Sequence, residues 1–230
     1  MSTGANSFPE QRLIWPGAIL GSIAHAIFVC RYPDLAHEQS WDGANYNVQD
    51  SAGSRGTIAF SESSFVAVFF YEGSNRNPFR SKSSYTLERF FAGLPEDLKA
   101  VANEEALQYV LQEFGGSTVP IITSAFWGDG KGDQVAASEP WTTVFAHGAI
   151  LVQNQLLRAS QAIAKWAVEY ELRPSEATLA EALFEQKMAG PSNSIQLSES
   201  EYSVLKEMSD GREGIEASRE SFAEIGIVLP

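Results

Sequence analysis

The sequence predicts an α+β fold: an antiparallel meander of three to four strands, at about residues 44–71 and 118–127, packed by helices and followed by a helical C-terminal portion. Three observations carry this. Between Trp41 and Glu72 polar and apolar residues alternate with the two-residue period of half-buried strands. After Pro140 apolar residues recur at intervals of three and four, the period of helices. With 44% hydrophobic and 11% aromatic residues in 230, the chain can fill one core and a small appended unit. The expected division is a core domain at 1–171 and an acidic helical extension at 172–230, or one domain over 1–230.

In chain order, Trp15-Pro16-Gly17 reads as the end of a first segment. Ile19, Ile23 and Ile27 then follow at helical spacing up to Arg31, and Tyr32-Pro33-Asp34 stops the run. The apolar stretch 13–29 has only Arg12 as a preceding base, Glu10 nearby and a Pro-Gly pair inside it, so it reads as a buried helix, not as a leader or a bilayer span. Ala44, Tyr46 and Val48 alternate with Asn45, Asn47 and Gln49. DSAGSRG makes a turn, and TIAF and SFVAVFFY complete the meander. The last strand is apolar on both faces and is therefore expected at the centre of the sheet.

Residues 84–113 read as two helical pieces broken at Gly93-Leu94-Pro95, with Asn103 as an N-cap and Gly115-Gly116 as the stop. TVPIITSAFW reads as one further strand, placed at an edge by Pro120. Ser138 and Pro140 open what reads as the longest helix, with Trp141, Val144, Phe145, Gly148, Val152, Leu156, Ile163, Trp166 and Tyr170 on one face. A helix at about 175–188 ends at Gly190-Pro191. Ser198 and Glu201 have capping-box spacing, and a last helix holds Ile215, Phe222 and Ile225.

The formal net charge of −13 repels phosphate backbones and anionic membranes, which disfavours nucleic-acid and membrane partners and favours a protein partner with a basic surface. Residues 1–100 hold 8 Lys and Arg against 10 Asp and Glu, whereas residues 101–230 hold 8 against 19. The plain reading of the acidic half is a solvated helical surface. The sharper one is a docking face built from Glu181, Glu185, Glu199, Glu201, Glu207, Asp210 and Glu213. The opposite polarity occurs once, in GSNRNPFRSKS at 73–83, where Arg76, Arg80 and Lys82 stand without an acid.

Catalytic, cofactor and metal templates all fail. In FWGDGKGDQ, a calcium loop started at Asp129 meets Lys131 at its third place, Gln134 at its sixth and Pro140 at its twelfth. As a phosphate cradle the stretch has no Ser or Thr after the lysine, so it reads as a strand-to-helix turn. Ser54 in AGSRG resembles a nucleophile elbow but is followed by a strand and reads as a hairpin turn. His37-Glu38 begins a zinc-helix motif that Trp41 breaks, and His25 and His147 read as packed or surface residues. The single Cys30 reads as a core thiol in a reducing, cytoplasmic compartment, and Glu104-Glu105 as acids favoured by a helix N-terminus.

The function expected is therefore a non-catalytic binding or inhibitory protein whose acidic surface meets a basic protein. In composition it is similar to small bacterial α+β immunity proteins that neutralise toxins. Two alternatives follow other features: an enzyme for a small molecule with a site gathered from distant segments, and a self-associating structural protein using an exposed aromatic patch.

Overall fold

The computed structural model describes residues 7–80, 85–209 and 211–230. Lys82 and Asp210 lie outside the described residues. The helices are α1 (Ile14–Phe28), α2 (Trp141–Ala146), α3 (Ala159–Glu169), α4 (Pro174–Ala189), α5 (Glu199–Met208) and α6 (Arg212–Glu224). The strands are β1 (Gln39–Asp42), β2 (Asn45–Gln49), β3 (Arg55–Ser61), β4 (Ser64–Phe70), β5 (Leu111–Phe114), β6 (Ser117–Pro120), β7 (Ser124–Gly128), β8 (Ile195–Gln196) and β9 (Ile227–Val228). The fold is α+β, with an antiparallel sheet in the order β1-β2-β3-β4-β7 and a helical C-terminal portion. No helix among the described residues is long and apolar enough to cross a membrane.

The chain forms two compact units, each discontinuous in sequence: Met1–Arg12 with Asp42–Gln153, and Leu13–Trp41 with Asn154–Pro230. In the first unit β4 is an interior strand, paired with β3 on one side and β7 on the other. Its alternate residues serve two layers. Val66 and Val68 pack with Phe90, Leu98, Leu107, Val110 and Trp127 in one core cluster. Phe65 and Phe69 face Phe126, with ring centroids 6.0 and 5.8 Å away, and Phe126 meets Trp141 of α2 at 5.4 Å. Burying each of these large side chains contributes roughly 1.5–3 kcal/mol, which explains why the run tolerates no polar residue.

In the second unit α1 is the central helix. Twelve of its fifteen residues are buried, as expected of a helix that is apolar all round. Ile19, Ile23 and Ile27 share a core with Leu179, Leu183, Leu205, Phe222 and Ile227, while Leu20 and Ala24 meet Ala162, Trp166 and Tyr170. The residues of the expected extension at 172–230 thus share their core with the first helix. Two capping boxes start the C-terminal helices. Glu176 closes one at Arg173, and Ser198 with Glu201 forms the other.

Four sequence expectations are corrected. The first helix starts at Ile14, before Pro16, because a proline in the first turn removes only an N–H that has no helical partner. Residues 88–110 form short 3₁₀ turns and one π turn (Val101–Glu105) instead of two α-helices, and Asn103 lies inside the π turn. Gly115-Gly116 does not stop a helix. With φ of 62° and 84°, the pair makes the two-residue hairpin turn between β5 and β6, which pair Leu111 with Pro120. TVPIITSAFW accordingly divides between β6 and β7.

The fourth correction concerns the long helix expected after Pro140. It breaks into α2, a 3₁₀ turn at Ala149–Val152 and α3. The Thr123 hydroxyl donates to the His147 carbonyl at 2.6 Å, where a continuing helix would supply an N–H. A Cβ at Gly148 would stand 2.5 Å from that of Phe69, so the chain comes closer to the sheet there than any residue but glycine allows. The apolar stripe therefore serves two cores, Trp141 and Val144 in one unit and Ala162 and Trp166 in the other.

Candidate functional site

In the first unit a cleft of about 440 Å³ lies where the start of β2 and the end of β3 meet the turns at 100–109. Its volume is in the range of ligand pockets. Asp42, Asn45, Phe60, Glu104, Glu105 and Tyr109 supply its polar and aromatic wall, and no Lys, Arg or His among the described residues lines it. The buried Asn45 amide donates to Glu105 Oε2 at 2.8 Å and to the Tyr109 hydroxyl at 3.2 Å. Tyr109 in turn donates to Asp42 Oδ2 at 2.7 Å. Burial, then the bond to Asp42, pushes the Tyr109 phenol above its ordinary value, so it stays a donor and orients the carboxylate. Glu104 stands beside Asp42 and Glu105, and all three carboxylates are exposed on the rim. The arrangement places three carboxylates around a concavity with an aromatic wall, an environment that favours a guanidinium or ammonium group.

A second polar cluster fastens the loop after β4. Ser74 Oγ and His147 Nδ1 share a hydrogen bond of 2.9 Å, and Arg76 forms a bidentate pair with Glu139 at 2.5 and 2.7 Å. Burial, then the Arg76 charge, lowers the His147 pKa. Ser74 is only 3% exposed and also accepts the Arg76 N–H, a geometry that suits anchoring better than nucleophilic attack.

The remaining motifs have structural partners. In FWGDGKGDQ the Asp129 carboxylate accepts the N–H groups of Lys131 and Gly132, which hold its pKa below the ordinary value. The Gln11 side chain fills the loop, donating to the carbonyls of Gly132 and Gln134 and accepting from Gly130 N–H. The stretch is a turn wrapped around a glutamine. Ser54 is buried in its hairpin, where its hydroxyl accepts Glu72 N–H. His25 is buried against Ala36 and Tyr170, and burial lowers its pKa to about 4. His37 is exposed, with Nδ1 2.8 Å from the Asp34 carbonyl. His25 and His37 belong to the second unit and His147 to the first. Cys30 is buried, its thiol donates to the Leu205 carbonyl, and burial raises its pKa. No group of three or more His, Cys, Asp or Glu among the described residues could hold a metal ion.

Of the acidic docking residues, Glu181, Glu185, Glu199, Glu207 and Glu213 are exposed, and none of the five is in an ion pair with another described residue. Glu201 is committed to its capping box. Partial burial pushes its carboxyl up, but the Ser198 hydroxyl and N–H outweigh this and hold it low. The bias between sequence halves does not carry over to the units. The first holds 8 Lys and Arg against 14 Asp and Glu, and the second 8 against 15. Sequence reasoning missed the cleft. Its one local signal, the pair Glu104-Glu105, reads in the sequence as complementing a helix dipole, whereas in the structure Glu105 ends a π turn. Comparison with protein-family models, with curated proteins and with solved structures finds no match.

Proposed function

We propose that this is a non-catalytic binding protein that engages a basic protein, in the manner of a bacterial immunity-type inhibitor, and that the acidic cleft receives a lysine or arginine side chain of that partner. The observation that supports this is the cleft's wall: Asp42 and Glu105 held in place by Tyr109 and Asn45, Glu104 beside them, and no base among them. A cationic side chain entering it exchanges water for charge-assisted hydrogen bonds to oriented acceptors, without reorganisation of those acceptors. The exposed glutamates of α4, α5 and α6 offer a second acidic contact surface, suited to attraction at longer range.

The test uses a neutral peptide carrying one arginine, and the same peptide with citrulline, titrated into the ¹⁵N-labelled protein. Amide shifts at 42–45 and 104–109 are expected with the arginine peptide only, and affinity should fall as salt rises from about 50 to about 300 mM. Glu105→Gln should weaken binding at least fivefold, by roughly 1 kcal/mol. Neutralising Glu181, Glu185, Glu199, Glu207 and Glu213 together should lower the association rate more than the lifetime of the complex. Equal binding of both peptides, or shifts that avoid the cleft, would sink the reading.

A further inference from the structure

Arg76 and Arg80 after β4, and the aromatic residue Phe79 between them, do not line the acidic cleft. In the first unit Phe79 is 49% exposed and Leu111 38%, the two large apolar side chains left open there among the described residues. Phe79 stands edge-on to Phe70, at 6.2 Å, and to Phe114, at 5.5 Å, and Phe114 continues to Tyr85 at 6.2 Å. The Arg55 guanidinium lies 5.9 Å from the Phe70 ring centre and donates to the carbonyl of Leu111. Its Nε is buried with no hydrogen-bond partner, and no described carboxylate is within ion-pair distance of it. The neighbouring Arg80 differs, because Glu72 neutralises it at 2.7 Å.

A half-buried guanidinium without a counterion is costly in any protein and out of place in one with a net charge of −13. We infer that the surface formed by Arg55, Phe79, Phe114 and Leu111 docks an acidic segment of a partner protein. An aspartate or glutamate of that segment pairs with Arg55, and an apolar side chain near it covers Phe79. Charge complementarity selects the occupant, since an uncompensated guanidinium on this face calls for a carboxylate. This surface goes beyond the cation-binding cleft and does not depend on it.

The experiment is fluorescence anisotropy of the full chain with a labelled peptide of sequence acetyl-Leu-Phe-Ser-Glu-Leu-amide and its Gln counterpart. The Glu peptide should bind at least about tenfold more tightly, the worth of one charge-assisted hydrogen bond. Arg55→Gln should abolish that preference, and Phe79→Ser should weaken both peptides while leaving the preference intact. Should Arg55→Gln fail to fold, Phe79→Ser and a salt titration of the native chain still decide, because the Glu preference must shrink as salt rises. Equal affinity for the two peptides, a preference that survives Arg55→Gln, or no binding at about 1 mM peptide overturns the inference. A Phe79-dependent dimer in sedimentation also overturns it, by making a second copy the occupant.

Discussion

Glu176 offers the sharpest test of the packing in the second unit, because its carboxylate is completely buried and yet ionic partners surround it. It accepts Arg173 N–H at 2.9 Å, closing the capping box of α4, and both oxygens accept from Arg31 Nη2 at 3.1 Å. The Arg173 side chain joins them, but it is 47% exposed against 24% for Arg31, so solvent screens most of its contribution. Glu176→Gln keeps an acceptor for the capping N–H and loses the charge facing Arg31. A hydrogen bond to a charged group contributes about 1.5–3 kcal/mol, and Arg31 retains a contact of 3.4 Å to the Glu171 carbonyl, so the expected loss is about 2 kcal/mol. Glu176→Ala also removes the cap and leaves Arg31 without its counterion, which raises the loss to about 3–5 kcal/mol. Urea unfolding followed by tryptophan fluorescence measures both, with Glu181→Gln on the exposed face of α4 expected within about 0.5 kcal/mol of the native chain. A Glu176→Gln variant as stable as that control would refute the argument that the buried pair matters.

Three further outcomes are expected. Burial holds the folded pKa of His25 at about 4 against 6.5 for the free side chain, so between those values the unfolded chain binds a proton that the folded chain does not. Stability should therefore fall as pH drops from 6.5 to 4, by up to about 3 kcal/mol from this residue, and urea midpoints of His25→Gln over that range should show a shallower slope. The buried Cys30 thiol should stay unreactive to a disulfide reagent at pH 8 until the chain unfolds, which a colorimetric thiol assay with and without urea checks. Gly148→Ala would set a Cβ 2.3 Å from Ser124 Oγ and 2.5 Å from Phe69 Cβ. It should cost about 1–3 kcal/mol in the same urea assay, where Gly132→Ala, with nothing closer than 3.5 Å, should cost little.

What the sequence revealed depended on whether local pattern and tertiary contact agreed. The meander was legible because β2 alternates polar and apolar residues, DSAGSRG marks the turn after it, and the doubly apolar run of β4 marks an interior strand of the sheet. The helical reading of 84–113 failed because apolar spacing does not distinguish an α-helix from a chain of 3₁₀ and π turns, and because two glycines in the left-handed region suit a helix stop as well as a hairpin. The helix across 141–170 was illegible for a different reason. Its stripe keeps its period through the break at His147-Gly148, and the cause of the break, Thr123 and Phe69, lies far off in sequence. The cleft shares that difficulty, since Asn45 and Glu105 meet only once the sheet and the turns at 100–109 have formed.

The charge distribution decides what kind of recognition these acids can support. Measured along the chain, residues 101–230 look like an acidic half set against a nearly neutral one, and a long-range field from that half would steer a basic partner to it. The fold removes the contrast, because residues 13–41 join 154–230 while 42–153 form the other unit, leaving net charges of −7 and −6. Two units of nearly equal charge attract a cation almost equally, and at physiological ionic strength that attraction fades over about 8 Å. Selectivity then has to come from acceptors fixed at short range. Asp42 and Glu105, although exposed like Glu181, Glu185, Glu199, Glu207 and Glu213, meet that requirement because Tyr109 and the buried Asn45 hold them, and those five helical glutamates have no such support. The cleft is therefore the place to look for specificity, and the helical glutamates the place to look for rate.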